Sequence, residues 1–163
     1  LHRVDRQQRQ MCIRDRCISI YLLGGPRIFF NFAYFWGIVG AGMSLLTPDT
    51  TLGFPSFEYL NHMYGHLLII LGVNIGMVLM NERPHLKDFL NVMTFTTVAF
   101  LPAMYGVNFL LDANYWYILE KPVGDNITAL MPDAPYHILA LIPVAWLFTF
   151  AIYVPFLLKD KNA

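Results

Sequence analysis

The chain of 163 residues has the length of about one domain, and its formal net charge of zero gives no indication of nucleic-acid binding. Apolar residues make up 56% of it and charged residues only 13%, which is about half the charged share of an ordinary soluble domain. A soluble core of this size needs more polar surface to cover it, so we expect the lipid bilayer to surround much of the chain.

The first seventeen residues differ in composition from the rest. They hold five of the eleven basic residues and no hydrophobic run, so they lack the apolar middle of a signal peptide. The string from Gln10 to Asp15 matches the translated end of a transposon adapter used in sequencing libraries. We therefore predict that residues 1–17 are a non-native or disordered tail and that residues 18–163 are the transmembrane domain. The alternative is a basic cytoplasmic tail.

Four long apolar segments follow a short apolar remnant at residues 18–23. They cover about residues 28–46, 57–80, 89–111 and 135–158. The first has 19 residues, and at about 1.5 Å per residue its length of about 28 Å matches a hydrocarbon core of roughly 30 Å. These segments predict an all-α, polytopic transmembrane helix bundle with four full spans and the remnant of a preceding span.

The second span carries its polar and small residues on one side. At about 100° per residue they fall within an arc of about 140°. The set is Glu58, Asn61, His62, Gly65, His66, Gly72 and Gly76. Glycines allow close helix packing, and ionisable groups in a membrane face other helices or a water-filled cavity. This span is therefore predicted to have a polar inner face.

The basic residues outside the tail predict the orientation. Alternating four spans places five of them on one side, namely Arg27, Arg83, Lys87, Lys159 and Lys161, and Lys121 alone on the other. The split predicts a multi-pass protein of the cell membrane with a cytoplasmic carboxyl terminus.

This topology places several polar residues in the outer half of the membrane. They are Glu58, His62 and His66 of the second span, Asn108 and Asp112 of the third, and His137 of the fourth. We expect them to form one cluster. His66, the deepest of the three in the second span, is the strongest candidate for a catalytic residue, with Asp112 as its partner.

Three kinds of chemistry suit such a cluster. His62 and His66, with Glu58, can bind a metal, but this spacing alone is a weak signature, so neither a metal nor another cofactor is predicted. A histidine paired with a carboxylate can act as the general base of acyl transfer or hydrolysis when a nucleophile is near. The groups can also simply satisfy one another's hydrogen bonds and fix helix packing.

The third span has a polar stripe of its own. It consists of Asn91, Thr94, Thr97, Tyr105, Asn108 and Asp112. Two facing polar stripes can frame a cavity, which leaves a structural or transport protein with a solute path as the alternative to an enzyme.

Four segments carry a family resemblance. They are YFWGIVGAGMSLLTPD (34–49), FPSFEYLNHMYGHLLIILG (54–72), NYWYILEKP (114–122) and PYHILAL (135–141). Over about residues 28–158 the chain resembles the YwaF family of bacterial multi-spanning integral membrane proteins. Members have further spans ahead of this region, so the resemblance implies the carboxyl-terminal part of such a protein.

The YwaF family in turn resembles, more distantly, eukaryotic membrane acyltransferases and lipid hydrolases that pair a Cys or Thr nucleophile with a helix-borne His. His66 matches the family's His, which implies a lipid substrate. The nucleophile lies near a Pro-Leu-His-x-Cys pattern that this sequence lacks, although Cys17 falls close to its place. The resemblance therefore implies that this chain is inactive alone.

The orientation can be tested by cysteine labelling. A cysteine at position 85 should react with an impermeant reagent only in permeabilised cells, and one at position 125 should react in intact cells, because the basic residues hold the 81–88 loop inside. The reverse pattern would contradict both the orientation and the outer placement of the histidines.

Overall fold

The computed structural model describes residues 11–48, 50, 52–121 and 127–161. Within these residues the chain forms helices α1 (Met11–Leu22), α2 (Arg27–Leu46), α3 (Phe57–Val78), α4 (Leu86–Leu111) and α5 (His137–Lys161). Two 3-10 turns, Tyr115–Tyr117 and Ile127–Leu130, lie between α4 and α5. The described part of the chain contains no strand, which confirms the all-α prediction for it. Residues 1–10 of the predicted tail and the labelling position 125 lie outside the described residues.

Three of these helices are long and apolar enough to cross a membrane, judged by length and composition among the described residues. They are Arg27–Leu46, Leu86–Leu111 and His137–Asp160. Helix α3 has 22 residues, which is about 33 Å at 1.5 Å per residue and long enough to span. It is not among the three because polar residues such as His62 and His66 in its first half lower its mean hydropathy. Three of the four predicted spans are thus supported, and the second remains a prediction.

The observed helix ends differ from the predicted span ends by up to three residues. Helix α3 ends at Val78 and not at Met80, just before Asn81 adopts a positive φ of 55°. Helix α4 begins at Leu86 and not at residue 89, because the Asp88 carboxylate accepts the backbone N–H of His85 and caps the first turn. Apolar periodicity cannot locate such caps, since they lie outside the apolar run.

Helix α2 is the central helix of the bundle. It packs against α1 and α3, and also against α4 and α5. Its Phe30 and Phe35 are fully buried and belong to one apolar core with Val73 of α3, Phe89 of α4 and Tyr153 of α5. Helix α2 therefore contacts α1 and α3 with part of its surface and α4 and α5 with another part.

Two glycines of α3 allow this close packing. A Cβ atom at Gly72 would lie 2.7 Å from the Ile18 side chain of α1, and one at Gly76 would lie 2.9 Å from the Phe30 ring of α2. Both contacts confirm the predicted close approach over Gly72-x-x-x-Gly76. Helix α1 begins at Met11, within the predicted tail, and its Ile18 is buried against the core.

Arg27 is the centre of a hydrogen-bonded ion network at one end of the bundle. Its guanidinium donates to Glu82 at 2.8 Å, to both oxygens of Asp88 at 3.2 and 2.9 Å, and to the carbonyl of Arg83 at 2.6 Å. Asn31 also donates to Asp88, at 3.0 Å, and Tyr21 of α1 donates to Glu82 at 2.8 Å. These contacts join α1, α2, α4 and the connection between α3 and α4.

The same connection also holds α5. Arg83 forms an ion pair with Asp160 and donates to the carbonyl of Phe156 at 3.3 Å. The network therefore joins the ends of all five described helices. Its carboxylates are mostly shielded, with Asp88 only 12% exposed, so the loss of a partner leaves charge in a poorly hydrated place.

We predict that Arg27→Gln lowers the free energy of unfolding in detergent by about 1–3 kcal/mol, because two shielded carboxylates lose their cation. Lys87→Gln is the matched control, since it removes the same charge from an exposed side chain next to the network. Thermal unfolding followed by circular dichroism checks both variants. Equal melting temperatures for the two would contradict a structural role of the network.

Candidate functional site

The two histidines of α3 lie one helical turn apart with their ring centroids separated by 4.4 Å. His66 is 3% exposed, and its Nδ1 lies 2.8 Å from the backbone carbonyl oxygen of His62. His62 is half-buried, and its Nε2 lies 3.2 Å from the carbonyl oxygen of Ser44 in α2. Backbone carbonyls only accept hydrogen bonds, so we assign a hydrogen to each of these two ring nitrogens.

This assignment gives the two rings opposite tautomers. In neutral His66 the hydrogen on Nδ1 leaves the lone pair, and hence the basicity, on Nε2. The contact that fixes His66 comes from a main-chain oxygen of its own helix, so ring orientation is set by local geometry. A histidine held in this way has the form that a general base requires.

Small and apolar residues follow the histidine pair along the buried face of α3. The buried face of α3 continues from His66 through Ile69, Gly72 and Val73. Ile69 packs against Gly37 of α2, where an added Cβ would lie 2.9 Å from the Ile69 side chain. His66 thus lies at the junction of α3 with the central helix, away from bulk water.

The structure gives the other predicted cluster members different surroundings. Asn108 is buried and binds the backbone of Tyr115 through two hydrogen bonds, of 3.0 and 2.7 Å. His137 is fully buried and donates from Nε2 to the carbonyl of Tyr117 at 2.7 Å. Both side chains therefore hold the segment after α4 and do not bind the histidines of α3.

Asp112 occupies the end of α4. It is exposed and has a left-handed conformation with φ of 46°, which ends the helix. The described hydrogen bonds do not join it to His66, so the expected pairing remains a prediction. Its positive φ also shows a structural role that the i, i+4 spacing with Asn108 did not indicate.

Glu58 lies in the first turn of α3, one turn before His62, and is half-buried. Among the described residues, no group of three or more His, Cys, Asp and Glu side chains is arranged to hold a metal ion. The alternative of a site formed by Glu58, His62 and His66 thus gains no support from geometry.

Cys17 does not lie level with His66. Its neighbour Ile18 contacts Gly72, and Tyr21 approaches Gly76, so α1 and α3 run in the same direction. Gly72 follows His66 by six residues, which is about 9 Å along a helix axis. Cys17, a half-buried free thiol one residue before Ile18, therefore lies about one and a half helical turns from the level of the imidazole.

A cavity of about 220 Å³ lies between α2, α4 and α5. Its walls include Trp36 and Met43 of α2, Met93 of α4, and Ala145 and Trp146 of α5. His62 and His66 are absent from its described lining. The cavity and the histidine pair therefore use neighbouring faces of α2.

Two tryptophan–threonine pairs cross this cavity's wall. Trp36 Nε1 donates to Thr96 Oγ1 at 2.9 Å, and Trp146 Nε1 donates to Thr97 Oγ1 at 3.1 Å. Trp36 and Thr96 each lie in a π-helical turn, Ala33–Gly37 in α2 and Thr96–Phe100 in α4. Such single π turns are rare and often occur at functional sites.

Sequence reasoning missed this cavity. Trp36, Trp116 and Trp146 all line it, and no motif or periodicity of the sequence groups them. The one residue of the predicted polar stripe of α4 that indicated this cavity was Thr97, which lines it. Its partner Trp146 is 49 residues away, and no local periodicity relates the two.

Apolar spanning helices, buried polar groups and an intramembrane cavity together define an α-helical integral membrane protein. The TMEM164 family model matches residues 12–153, and the chain belongs to that family. No curated protein and no solved structure matched the chain. The specific resemblance to the YwaF family remains a prediction.

The tautomer of His66 can be measured directly. In ¹⁵N spectra of histidine-labelled protein in detergent near neutral pH, Nδ1 of His66 should be protonated and Nε2 unprotonated, because the His62 carbonyl accepts from Nδ1. His66→Gln assigns the signals by removing them. Protonation at Nε2 of the neutral ring would contradict the assignment.

Proposed function

We propose that the protein is a multi-pass protein of the cell membrane that acts on lipid, with His66 as the general base of acyl transfer or ester hydrolysis. The observation that carries the proposal is the burial of His66 with its Nδ1 held by the His62 carbonyl at 2.8 Å. Burying an imidazole costs free energy that an apolar side chain would avoid. The fixed tautomer directs the basic nitrogen away from the helix backbone.

In this chemistry Nε2 of His66 takes the proton of a nucleophile as that nucleophile attacks the carbonyl carbon of a lipid ester. The ester C–O bond then breaks, and the imidazolium of His66 returns the proton to the leaving alcohol oxygen. The resemblance to membrane acyltransferases and hydrolases implies a Cys or Thr nucleophile. Cys17 lies about one and a half turns from the required level, so we do not assign the nucleophile to Cys17.

The proposed orientation rests on the basic residues. Arg27 and Arg83 both belong to the ion network at one end of the bundle, together with the exposed Lys87 at the start of α4. This is the end assigned to the cytoplasm by the distribution of basic residues. His62 and His66 lie toward the other end of α3, and Asp160 near the end of α5 pairs with Arg83 at the end that we propose is cytoplasmic.

Transport of a polar solute has less support. Asn91, Thr94 and Tyr105 of the predicted stripe are exposed on the outside of the described bundle. The cavity that does exist has mostly apolar walls. A polar path needs hydrogen-bonding side chains that face one another across a lumen, and this arrangement does not provide them.

The test uses a family member that carries the Pro-Leu-His-x-Cys pattern and a histidine matching His66. His66→Gln there should abolish turnover of a lipid ester in liposomes, by about 10²-fold or more, because glutamine cannot accept and release the proton. Its melting temperature should stay close to that of the parent, because glutamine retains hydrogen-bonding capacity and a similar volume.

His62→Gln is the matched control. The contact that fixes His66 uses the main-chain oxygen of His62, which this substitution leaves in place. The variant should therefore keep its turnover. Full activity of His66→Gln would remove the general-base role, and a large fall in its melting temperature would assign His66 to packing.

A further inference from the structure

We infer that the cavity between α2, α4 and α5 binds the end of one lipid alkyl chain. This inference does not depend on His66 as a base, because the cavity and the histidine pair use different faces of α2. Four observations support it, namely the chemistry of the wall, the volume, the opening and the rigid cap.

The wall offers a ligand little hydrogen bonding. Thr96 Oγ1 donates to the carbonyl of Val92 at 2.8 Å and accepts from Trp36. Thr97 Oγ1 donates to the carbonyl of Met93 at 2.9 Å and accepts from Trp146. Because these four groups satisfy one another, the cavity presents mainly ring faces, methionine side chains and aliphatic carbons. Such a surface selects an apolar ligand.

The volume fits part of a chain. An engineered dry cavity of about 150 Å³ holds benzene, or about 25 Å³ per carbon atom, so a cavity of about 220 Å³ takes roughly nine carbons. Methionine side chains adapt to the varied shapes of a flexible ligand. Met43 and Met93 supply two of them, one on each side of the cavity.

Phe148 lines the cavity and also belongs to the exposed surface of α5, which is where we infer the opening. This ring lines the cavity and is also 41% exposed, on the same helix as the more exposed Leu147. The surrounding surface of α5 is apolar and belongs to a helix of spanning length. A chain that enters beside Phe148 therefore comes from the bilayer and not from water, which is why we assign the ligand to lipid.

The other end of the cavity is closed by a rigid cap, Asn114–Lys121. Trp116 contacts Trp36 and Phe100, with ring centroids 5.1 and 4.8 Å apart. Trp116 and Tyr117 have positive φ values of 60° and 52°, which bulky residues rarely adopt unless their surroundings enforce it. Enforcement comes from Asn108, which binds Tyr115, and from His137, which binds Tyr117. The site is thus formed in advance of binding.

The experiment uses tryptophan fluorescence of the full chain in detergent. The three tryptophans of the sequence all line the cavity, so emission reports on its contents. The probes are a fatty acid and a phosphatidylcholine that carry the same dibrominated chain, because bromine quenches indole emission on contact. We expect saturable quenching at about one probe per protein, reversed by the unbrominated chain. Quenching by both probes or by only one identifies which lipid source the cavity accepts.

Ala145→Leu adds three carbon atoms to the cavity wall and should weaken saturable quenching by at least about tenfold. Gly42→Leu is the control, since a Cβ there meets nothing within 4 Å and Gly42 is not part of the described lining. Circular dichroism and melting verify that both variants fold. Quenching that rises linearly without saturation, or saturable quenching that Ala145→Leu leaves unchanged, overturns the assignment. Competition by the unbrominated chain decides the case if Ala145→Leu does not fold.

Discussion

The guanidinium of Arg27 is the interaction on which the arrangement of the bundle depends. Apolar helices in lipid gain little from burying one another's side chains, because lipid tails are as apolar as leucine. Their relative positions must therefore come from close packing and from a few polar contacts. Arg27 holds Glu82, Asp88 and the carbonyl of Arg83 at once, and through them the ends of α1, α4 and α5. A planar guanidinium suits this task, since its five donors point in fixed directions.

With its first residue fixed in this network, α2 becomes a partition between two different environments. On one face, glycines and Ser44 allow α3 to approach, and the histidine pair is enclosed there. On the neighbouring face, Trp36 and Met43 form part of an apolar cavity. A prediction that assigns a single inner face to each helix cannot distinguish these two environments of α2.

Three of the four spans, the glycine packing and the burial of His66 were predictable because each depends on local composition and the 3.6-residue period. Gly72 and Gly76 lie on one side of α3 whatever its neighbours are. The cavity was not predictable in this way. It needs Trp36, Thr96, Trp116 and Trp146 from three helices and a loop, and two π turns shift the register of the helices that hold them. The hydrogen bonds between these tryptophans and threonines join residues 49 and 60 positions apart, so they produce no periodic pattern in the sequence.

The polar residues of this membrane protein also differ in purpose, which depth alone did not reveal. Asn108 and His137 were grouped with His66 because the predicted topology places all three in the same half of the membrane. The first two satisfy the backbone of a strained loop, where an unpaired carbonyl or N–H in an apolar setting would cost about 1–3 kcal/mol. The described hydrogen bond of His66 goes instead to a carbonyl of its own helix, which the backbone pattern of α3 does not need side chains to satisfy. Support of this loop therefore accounts for Asn108 and His137, and the proposed chemistry is confined to His66.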